Sequence, residues 1–519
     1  MPAAGDQDGG HGMAHLAEDL RLLIRTRHPI VVIDTHDEQY ACKLIAEAAG
    51  QLGMNVVVWS VGCGVRKYGQ TGAAARGALV KGVVGTDTIA GVVQFLNDNS
   101  ARQVYILLDA LPLPNDPAVV RRLREAAMAY SADERTVFFV GTGGVLPESV
   151  RPLSVPFELP PPDRDEMDKL VRQCVGELAR DRDTSVSLTR QDYEAFLTAL
   201  RGLTRAEVAQ VTASAILGDG VLNAADTPLA LEAKRRRLRD LGALEYVAPP
   251  EAAPAVGGME NLRHWLDLRR RALAPEARAF GLVPPRGILL LGVQGCGKST
   301  MARYVGSCWR MPLLRMDVGA LYDRYVGETE QRMRRSLSAA EAMAPCVLWI
   351  DEVEKAFASA GVPGGSASDG GLSQRLFGHL LTWMQERQAA VFVLATANDV
   401  ALLPPELLRK GRFDEVFFID LPGEAARREI FAIHLSRRKR DPGTFDLAAL
   451  AEASAGFSGS EIEQAVVAAL YAAFNQSREL TTADVLAELK ATRPLSVLMA
   501  ERVADLRAWA EGRCVPADA

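Results

Sequence analysis

The sequence predicts an α/β protein with two parallel sheets, each followed by a helical region. Short apolar runs alternate with longer stretches of helical periodicity, and this pattern occurs twice along the 519 residues. The apolar runs are continuous, which is typical of strands buried on both faces of a sheet. A chain of this length has room for about three domains of ~150 residues. We therefore expect a repeated α/β plan.

The composition indicates a folded, soluble chain. Hydrophobic residues make up 48% and charged residues 24%, which excludes a disordered chain and a membrane protein. The formal net charge of -6 gives no global attraction to nucleic acid, so nucleic acid is not an expected partner. The 7 cysteines include no Cys-x-x-Cys pair, and no basic segment followed by an apolar one opens the chain. We therefore expect a cytoplasmic protein without a membrane segment.

The first half of the chain is predicted to contain a mobile tail, an α/β domain and a helical subdomain. The tail covers residues 1–15 and the α/β domain covers residues 16–160. Apolar runs predict strands at 29–33, 55–61, 104–108 and 136–140. Periodic stretches predict helices at 40–52 and 118–130. Residues 161–247 show helical periodicity without a strand signal, so we expect a helical subdomain there.

The second half repeats this plan after a linker. Residues 248–255 read Ala-Pro-Pro-Glu-Ala-Ala-Pro-Ala, a composition typical of linkers. An α/β domain is predicted at 256–422, and a helical lid with C-terminal helices at 423–519. The strands of this α/β domain are predicted at 287–291, 312–316, 347–350, 391–396 and 415–419. Because both halves share one order of elements, we infer a structural repeat.

A glycine-rich loop separates the first of these strands from a helical stretch. It reads Gly292-Val293-Gln294-Gly295-Cys296-Gly297-Lys298-Ser299 and is followed by Thr300. This is the P-loop pattern in its required context of a strand before and a helix after. The glycines let backbone N–H groups surround a phosphate, Lys298 reaches the β- and γ-phosphates, and the Ser299 hydroxyl binds Mg²⁺. The expected cofactors are therefore ATP and Mg²⁺.

Polar residues end the later buried strands. Asp351 and Glu352 follow the run 347–350, and Asn398 ends the run 393–398. With the P-loop upstream, we expect Asp351 to hold Mg²⁺, Glu352 to be the base that activates water, and Asn398 to sense the γ-phosphate. Taken alone, the acidic pair is also typical of a helix cap, and Asn-Asp of a turn. Together with the P-loop, these residues predict hydrolysis as well as binding.

Two arginines surround a glycine just before the last predicted strand. The segment reads Leu408-Arg409-Lys410-Gly411-Arg412-Phe413-Asp414. A planar guanidinium pairs with phosphate oxygens through two hydrogen bonds, so Arg409 and Arg412 are candidate catalytic residues that act in a neighbouring subunit. Such an arginine finger contributes about 10³ to 10⁵ in rate. The alternative is a solvated basic turn.

These motifs resemble the ATPase module of the AAA+ superfamily, and within it the AAA clade, over about residues 254–500. The resemblance implies a P-loop NTPase parallel sheet with a helical lid, assembled as a ring that is expected to be a homo-hexamer. It assigns Gly257 to the segment that lines the adenine, His434 to the lid near the ribose, and Gly459 to the lid turn over the nucleotide. Tyr325 and Val326 align with the pore loop that grips a polypeptide. Packing of Tyr325 at a helix start is the alternative.

One segment departs from the family's pattern. Where many AAA proteins carry Glu-Met-Asp-Gly-Phe before the sensor strand, this chain has Trp383-Met384-Gln385-Glu386-Arg387. The resemblance assigns signalling between subunits to this segment. Communication between neighbouring sites is therefore expected to differ from the family's usual form.

Two further residues carry local predictions. Cys296 lies inside the P-loop, where a helix N-terminus and Lys298 would lower its pKa and favour the thiolate. A redox-gated ATPase is one interpretation, and a small residue at a tolerant position is the other. Ser460 with Glu463 is expected to form the capping box at the start of a helix.

The N-terminal half resembles a degenerate, non-hydrolysing AAA-like domain. Its first strand runs into Thr35-His36-Asp37-Glu38, where glycine and lysine are missing and the acidic residues would repel a triphosphate. Asp109 follows a strand like a metal carboxylate, but Ala110 stands in the position of the base, and Gly141-Thr142 replaces the sensor asparagine. Such a half joined to an intact ATPase half is similar to the chloroplast reading-frame (Ycf-type) AAA family of plastids, cyanobacteria and other bacteria.

The function implied is Mg²⁺-dependent ATP hydrolysis that drives remodelling of a protein client through the pore of a ring. An ATP-dependent assembly switch that binds a regulatory partner without threading is the alternative, motivated by the altered segment after Trp383. A nucleic-acid motor is a third interpretation, which the net charge of -6 disfavours. The expected partners are further copies of the chain and an unidentified protein client.

Overall fold

The computed structural model contains two compact units that divide between Lys234 and Arg235. It confirms the predicted α/β class with parallel sheets. Within the residues that it describes, no helix has the length and apolar character needed to cross a bilayer. The described residues are 13–69, 82–114, 116–180, 184–240, 242–248, 253–272, 275–319, 326–356, 367–409 and 411–518.

The first unit begins with a helix and continues as an α/β domain. Its elements are α1 (Met13–Arg25), β1 (Ile30–Asp34), α2 (Glu38–Gln51), β2 (Asn55–Ser60), β3 (Gly64–Lys67), α3 (Ile89–Asp98), β4 (Gln103–Leu108), α4 (Pro117–Asp133), β5 (Thr136–Gly141) and β6 (Ser154–Pro156). One sheet runs in the order β3-β2-β4-β5-β1-β6, and only the β2–β3 pair is antiparallel. Apolar clusters cover both faces, which explains the continuous apolar runs.

Helices dominate the rest of the first unit. They are α5 (Arg164–Leu178), α6 (Arg190–Leu200), α7 (Arg205–Asp219) and the first part of α8 (Thr227–Asp240). Their core contains Phe196, Leu200 and Val208. The prediction that this region lacks strands is wrong, because β7 (Ser185–Ser187) pairs with β8 (Val221–Asn223) in parallel. Strands of three residues are too short to show a periodicity of their own.

The second unit contains a second α/β domain and the helical lid. The α/β elements are β9 (Leu244–Val247), α9 (Glu260–Arg269), α10 (Pro275–Ala279), β10 (Gly287–Gly292), α11 (Lys298–Cys308), β11 (Leu313–Met316), α12 (Val326–Ala342), β12 (Cys346–Ile350), α13 (Ala367–Glu386), β13 (Val391–Ala397) and β14 (Glu415–Ile419). The remaining elements are α14 (Glu424–Arg437), α15 (Leu447–Ala453), α16 (Gly459–Asn475), α17 (Thr482–Ala491), α18 (Leu495–Leu498), α19 (Ala500–Ala510) and β15 (Val515–Pro516).

The sheet of the second unit runs in the order β15-β14-β10-β13-β12-β11-β9. Its pairs are parallel except β9 with β11. The residues of β9 were predicted to be helical, but Leu244 is opposite Met316 at the edge of this sheet. One apolar cluster lies on each face of the sheet, and a separate lid core contains Phe431, Phe457 and Val466.

The two sheets share a common order of five strands. In the first unit the order is β2-β4-β5-β1-β6, and in the second it is β11-β12-β13-β10-β14. Numbered along the chain, these two orders are identical, which agrees with the inferred repeat. Because the five strands of each sheet are parallel, their carboxyl ends meet at one edge, where ligands of α/β proteins bind.

The predicted strands and helices lie within a few residues of the observed ones. The end of the predicted tail is wrong, because α1 begins at Met13. The rest of that tail, residues 1–12, lies outside the described residues. The other domain bounds stay predictions.

Candidate functional site

A cleft of about 360 Å³ lies at the carboxyl edge of the second sheet, between the sheet and the lid. The P-loop, the ends of β12, β13 and β14, and the lid helices α14 and α16 form its walls. The structure brings most of the predicted site residues together here, and Gly292 ends β10 directly before them. The predicted residues that line the cleft are Gly257, Gln294, Gly295, Cys296, Gly297, Lys298, Ser299, Thr300, Asp351, Glu352, Asn398, His434 and Gly459.

The P-loop connects β10 to α11 and lies against the lid. Gly297, at φ 90°, is the N-cap of α11, so the helix begins directly at Lys298. A Cβ atom at Gly295 would lie only 2.2 Å from Ser460 Oγ of the lid, so a larger residue does not fit. The Gly295 carbonyl accepts a hydrogen bond from the Ser460 N–H at 3.0 Å. Glycine therefore permits the close contact between loop and lid.

Lys298 is buried in the first turn of α11. Its Nζ donates hydrogen bonds to the carbonyl oxygens of Gly292 and Val293, both at 2.8 Å. Burial lowers the pKa of Lys298 to about 8, and nearby acidic groups only partly oppose this effect. A phosphate in the cleft would provide the missing counter-charge. The position therefore suits binding of a polyphosphate.

Thr396, near the end of β13, holds both predicted carboxylate residues. Its hydroxyl donates a hydrogen bond to Asp351 Oδ1 at 2.7 Å and accepts one from the Glu352 N–H at 3.0 Å. Thr396 is only 2% exposed. The sequence signal was a single hydroxyl inside an apolar run, and no role was predicted for it. Thr396 thus positions the two residues expected to bind metal and activate water.

Glu352 and Asn398 face each other in the cleft. Asn398 Nδ2 donates a hydrogen bond to Glu352 Oε1 at 3.1 Å. Lys355 pairs with the other carboxylate oxygen. Glu352 has a φ of 49°, a left-handed conformation that is uncommon for glutamate and frequent at functional sites. The residues predicted to act as base and as sensor therefore share one hydrogen bond in the cleft.

Glu354 supports Asn398 from the protein interior. It is 4% exposed, and its Oε1 accepts a hydrogen bond from the Asn398 N–H at 2.9 Å. Burial raises the pKa of Glu354 above the ordinary value for glutamate. Glu354 was not among the predicted residues. Exposed carboxylates also occur two residues apart in sequences. The sequence alone therefore does not show that Glu354 is buried.

Arg315, on β11, is a second residue that the prediction missed. Its guanidinium lies 3.5 Å from Asp351 Oδ2 and over the Trp349 ring at 5.2 Å. Asp351 therefore has a hydroxyl partner on one oxygen and a cation near the other. Both contacts hold the Asp351 side chain in place at the end of β12.

The lid and the segment before α9 form an apolar wall, and the lid also contributes a buried histidine. Gly257 packs against α14, since a Cβ atom there would lie 2.9 Å from Ile430 Cγ1. His434 Nδ1 lies 3.6 Å from Glu463 Oε1, which also accepts a hydrogen bond from Arg438 at 2.9 Å. Burial lowers the pKa of His434, so its neutral form predominates near pH 7. The apolar residues of this wall are Val256, Met259, Ile430 and Ile433.

The predicted capping box of α16 is wrong by two residues. Ser458 is the N-cap, and its N–H donates to Glu461 Oε2 at 2.8 Å. The predicted pair, Ser460 and Glu463, lies inside the helix and lines the cleft. Both pairs have the Ser-x-x-Glu spacing, so the spacing alone does not distinguish them.

The predicted thiolate at Cys296 is also wrong. Burial raises the pKa of this thiol to about 12, an effect larger than the opposing attraction of Lys298. Cys296 is 7% exposed. The prediction counted the positive charges near the sulfur but not the loss of solvation. The structure therefore favours the interpretation of Cys296 as a small buried residue.

The two predicted arginine fingers lie away from the cleft lining of their own chain. Arg409 is exposed, and the Arg412 guanidinium donates to the Glu406 carbonyl. A residue that acts on the site of a neighbouring subunit has to lie away from the cleft of its own chain, so these positions are compatible with the predicted role. Of the predicted pore residues, Tyr325 lies outside the described residues, and Val326 is the first residue of α12.

The altered segment after Trp383 ends α13 and is fixed to its own domain. Trp383 Nε1 donates to Glu341 Oε1 at 2.9 Å, and the Arg387 guanidinium lies 4.7 Å from the Trp383 ring centre. Arg387 also donates to the Arg286 carbonyl. Burial lowers the pKa of Arg387 to about 10. These contacts give the unusual residues a packing role.

The oxygen donors of the cleft fit Mg²⁺ bound together with a nucleotide. Mg²⁺ keeps several waters and is commonly held by one or two protein oxygens plus phosphates. The Ser299 hydroxyl and the Asp351 carboxylate line the same cleft. In the described part of the chain, no group of three or more His, Cys, Asp or Glu residues could hold a metal alone. The donor set thus suits a metal that enters with its phosphates.

An ion-pair network occupies the corresponding turn of the first unit. Asp37 accepts a hydrogen bond from the Arg205 N–H at 3.2 Å, and the Arg205 guanidinium bonds both Glu166 oxygens at 2.7 and 2.8 Å. The guanidinium also lies 3.6 Å from the centre of the Tyr40 ring. Arg205 is 6% exposed. The charge of this turn is therefore partly neutralised within the unit, which the prediction of a repelling acidic turn did not include.

Comparisons with known families match the same regions of the chain. Residues 288–421 match the model described as ATPase family associated with various cellular activities (AAA), and residues 444–487 match the AAA+ lid domain. Residues 16–159 match the N-terminal domain of SpoVK-like AAA ATPases, and residues 165–240 match the second domain of that group.

Several similar proteins match over nearly the whole chain and are described as uncharacterized AAA domain-containing protein ycf46. The protein from Pyropia yezoensis is 32% identical over 505 residues, 96% of this chain and 98% of that protein. The protein from Guillardia theta is 33% identical over 500 residues, 95% of this chain and 94% of that protein. An ATPase family protein 2 homolog from Caenorhabditis elegans is 30% identical over 256 residues, 48% of this chain and 34% of that protein.

Proposed function

The chain belongs to the family of AAA ATPases that includes the ycf46 proteins, and from this premise we propose that it couples Mg²⁺-dependent ATP hydrolysis to remodelling of a protein client through a ring pore. The observation that carries the proposal is the contact of Glu352 with Asn398 at 3.1 Å in the cleft that also contains Lys298. Arg409 and Arg412 lie outside this cleft. A complete site of this kind would therefore need a second copy of the chain.

The reaction we propose is in-line attack of water on the γ-phosphate, in which the bond from the γ-phosphorus to the bridging oxygen breaks and ADP leaves with that oxygen. Glu352 orients the water and accepts its proton, and the Asn398 amide holds Glu352 in position. Lys298 pairs with the β- and γ-phosphates. Ser299 and Asp351 would hold Mg²⁺, which would supply positive charge beside the phosphate oxygens.

The neighbouring copy would complete the site. Arg409 and Arg412 of that copy would neutralise the charge that develops in the transition state. A head-to-tail contact of this kind closes into a ring when its rotation allows closure. AAA ATPases usually form such oligomers, and we propose a homo-hexamer.

In this proposal, the pore residues connect ATP hydrolysis to remodelling of the client. We propose that Tyr325, together with Val326 at the start of α12, grips the client polypeptide. The packing of Trp383 and Arg387 favours the second candidate, an assembly switch without threading, because these contacts fix the segment within its own domain. A cytoplasmic location is proposed for either function.

The first experiment is the solution mass of Glu352→Gln with ATP and Mg²⁺. We expect a ring of about six subunits, and a loss of turnover of about 10² to 10⁴ because the base is removed. The same variant carrying Arg409→Ala and Arg412→Ala is expected not to form the ring. Arg122→Ala with Arg124→Ala, which removes two exposed arginines of the first unit, is the matched control. A monomer under all conditions would rule out the pore mechanism.

A second variant distinguishes the two candidates. Tyr325→Ala should abolish client remodelling while basal ATP hydrolysis is retained. Unchanged remodelling by this variant would favour the switch.

A further inference from the structure

The segment 500–518, which we call the strap, ties the far end of the chain to the walls of the cleft. On α19, Arg502 pairs with Asp399 at 2.7 Å, next to Asn398. Arg507 bonds both oxygens of Asp420 at 2.8 and 2.9 Å. Asp420 lines the cleft. The strap is therefore anchored beside two parts of the site.

After α19, the strap continues as an added strand and reaches the segment before α9. Val515 pairs with Phe417 in β15, and the Ala517 N–H donates to the Phe418 carbonyl at 2.9 Å. Asn261 Nδ2 donates to the backbone carbonyl of Asp518 at 2.7 Å. These bonds fix the backbone of Asp518 independently of its side chain.

The carboxylate of Asp518 is held at a tight turn. Its Oδ1 accepts a hydrogen bond from the Met259 N–H. Gly258 and Met259 both have left-handed conformations, with φ of 71° and 59°. A Cβ atom at Gly258 would lie 2.7 Å from the same carboxylate oxygen. Glycine at 258 therefore lets the carboxylate approach the backbone closely.

Asp518 also lines the cleft, next to the wall formed by Val256, Met259, Ile430 and Ile433. A purine base has apolar faces and a polar edge. The apolar wall suits the faces, whereas Lys298 and Ser299 suit the phosphates. The edge of the base needs a polar partner, and an ionised carboxylate only accepts hydrogen bonds. A base with an amino donor on its edge would match Asp518.

We propose that Asp518 is a specificity-determining residue that accepts a hydrogen bond from the exocyclic amino group of adenine. The inference rests on the proposed role of the cleft in nucleotide binding. A purine base without the amino group would leave the carboxylate of Asp518 without a partner on the ligand. A polar site discriminates most strongly against a ligand that leaves one of its hydrogen-bonding groups unpaired in this way. The strap therefore determines which purine nucleotide the ATPase accepts.

The test is competition for the cleft by two diphosphates, without hydrolysis. Displacement of N-methylanthraniloyl-ADP from the full chain gives the affinities of ADP and of purine riboside 5′-diphosphate, which lacks only the amino group. We expect the unmodified protein to prefer ADP by about tenfold to a hundredfold, as for a hydrogen bond to a charged group. Asp518→Ala should bring the two affinities to within about twofold, mainly by weakening ADP.

Two further variants separate recognition from docking of the strap. Asp505→Ala removes an exposed carboxylate of α19 and should keep the preference for ADP. Asn261→Ala loosens the strap and should weaken both ligands equally. If Asp518→Ala also weakens both equally, or leaves the preference intact, the inference is overturned. If the unmodified protein binds neither diphosphate, the nucleotide site itself is refuted.

Discussion

The protonation of Lys298 should make both the stability of the fold and nucleotide binding in the cleft depend on pH. Burial lowers its pKa to about 8 in the folded chain, from 10.5 for a solvated lysine. Between these two values the unfolded chain binds more protons than the folded one, so this group makes the free energy of unfolding rise with pH. The affinity for nucleotide should change with pH in the opposite direction, because phosphate favours the charged ammonium of Lys298. Binding should therefore take up a proton and weaken as pH rises above about 8.

Calorimetric titration with ADP at pH 8.5, in two buffers of different ionisation enthalpy, measures this proton. We expect an uptake of about half a proton or more. Lys298→Arg stays charged at this pH and should show no uptake through this residue. Equal apparent binding enthalpies in both buffers for the unmodified protein would contradict the assignment.

The thiol of Cys296 should be chemically inert in the folded chain. Its pKa of about 12 leaves little thiolate at pH 7.5. Alkylation by iodoacetamide, followed by peptide mass spectrometry, should be at least about a hundredfold slower than in urea. Cys296→Ser is expected to retain ATPase activity. Rapid labelling, or loss of activity on mild oxidation that this variant prevents, would restore the redox interpretation.

Residues of the P-loop and the strand ends were predictable because each lies in a motif with its own spacing. Thr396, Glu354 and Asp518 were not, since only the fold brings each of them to the site. Thr396, for example, bonds residues that are 44 and 45 positions away in the sequence. A single polar residue carries no such information by itself.

The start of α16 gives a prediction about one element. Ser458 and Glu461 form its capping box, and Glu461 Oε1 also accepts a hydrogen bond from the Leu495 N–H at 2.7 Å. Ser458→Ala should destabilise the helix start by about 0.5–2 kcal/mol. Hydrogen exchange in α16 peptides should accelerate accordingly. Ser460→Ala keeps the capping box and is the control; equal acceleration in both variants would contradict the assignment of the cap.

Long apolar strands were predicted well because burial on both faces gives a continuous signal. The short strands were missed because they contain too few residues to give such a signal. β7 and β8 pair with each other over three residues, and β9 exists because β11 lies beside it. Their formation depends on tertiary pairing, which local composition does not reveal.

The division of the molecule into two units predicts two unfolding transitions. The proposed nucleotide site lies in the second unit, so ADP with Mg²⁺ should raise one transition of the full chain and leave the other unchanged. At a ligand concentration about 100 times the Kd, the stabilisation is about 2.7 kcal/mol, or about 5 °C for a unit of this size. Scanning calorimetry measures the shift.

The variant that tests this assignment is Lys298→Ala. It should abolish the shift without altering the other transition. A single transition that moves as a whole would show that the two units unfold together.

The structural repeat was inferred from the order of elements, but the division between the units was not foreseen. Helix α8 continues across it, from Thr227 to Asp240, without a proline or glycine after the first turn to mark a break. The proline-rich segment 248–255 lies after β9, inside the second unit. Composition thus identified a connection between elements, whereas the units are defined by packing.

The two edge strands of the seven-stranded sheet limit how copies of this chain can associate. β15 has two residues and ends in Pro516, which has no N–H, and β9 has four residues. Short edges and proline give another chain little backbone on which to add a strand. Growth into a continuous intermolecular sheet is therefore disfavoured. Association through side-chain surfaces needs no shared strand, so copies that met in this way would each keep their own sheet intact.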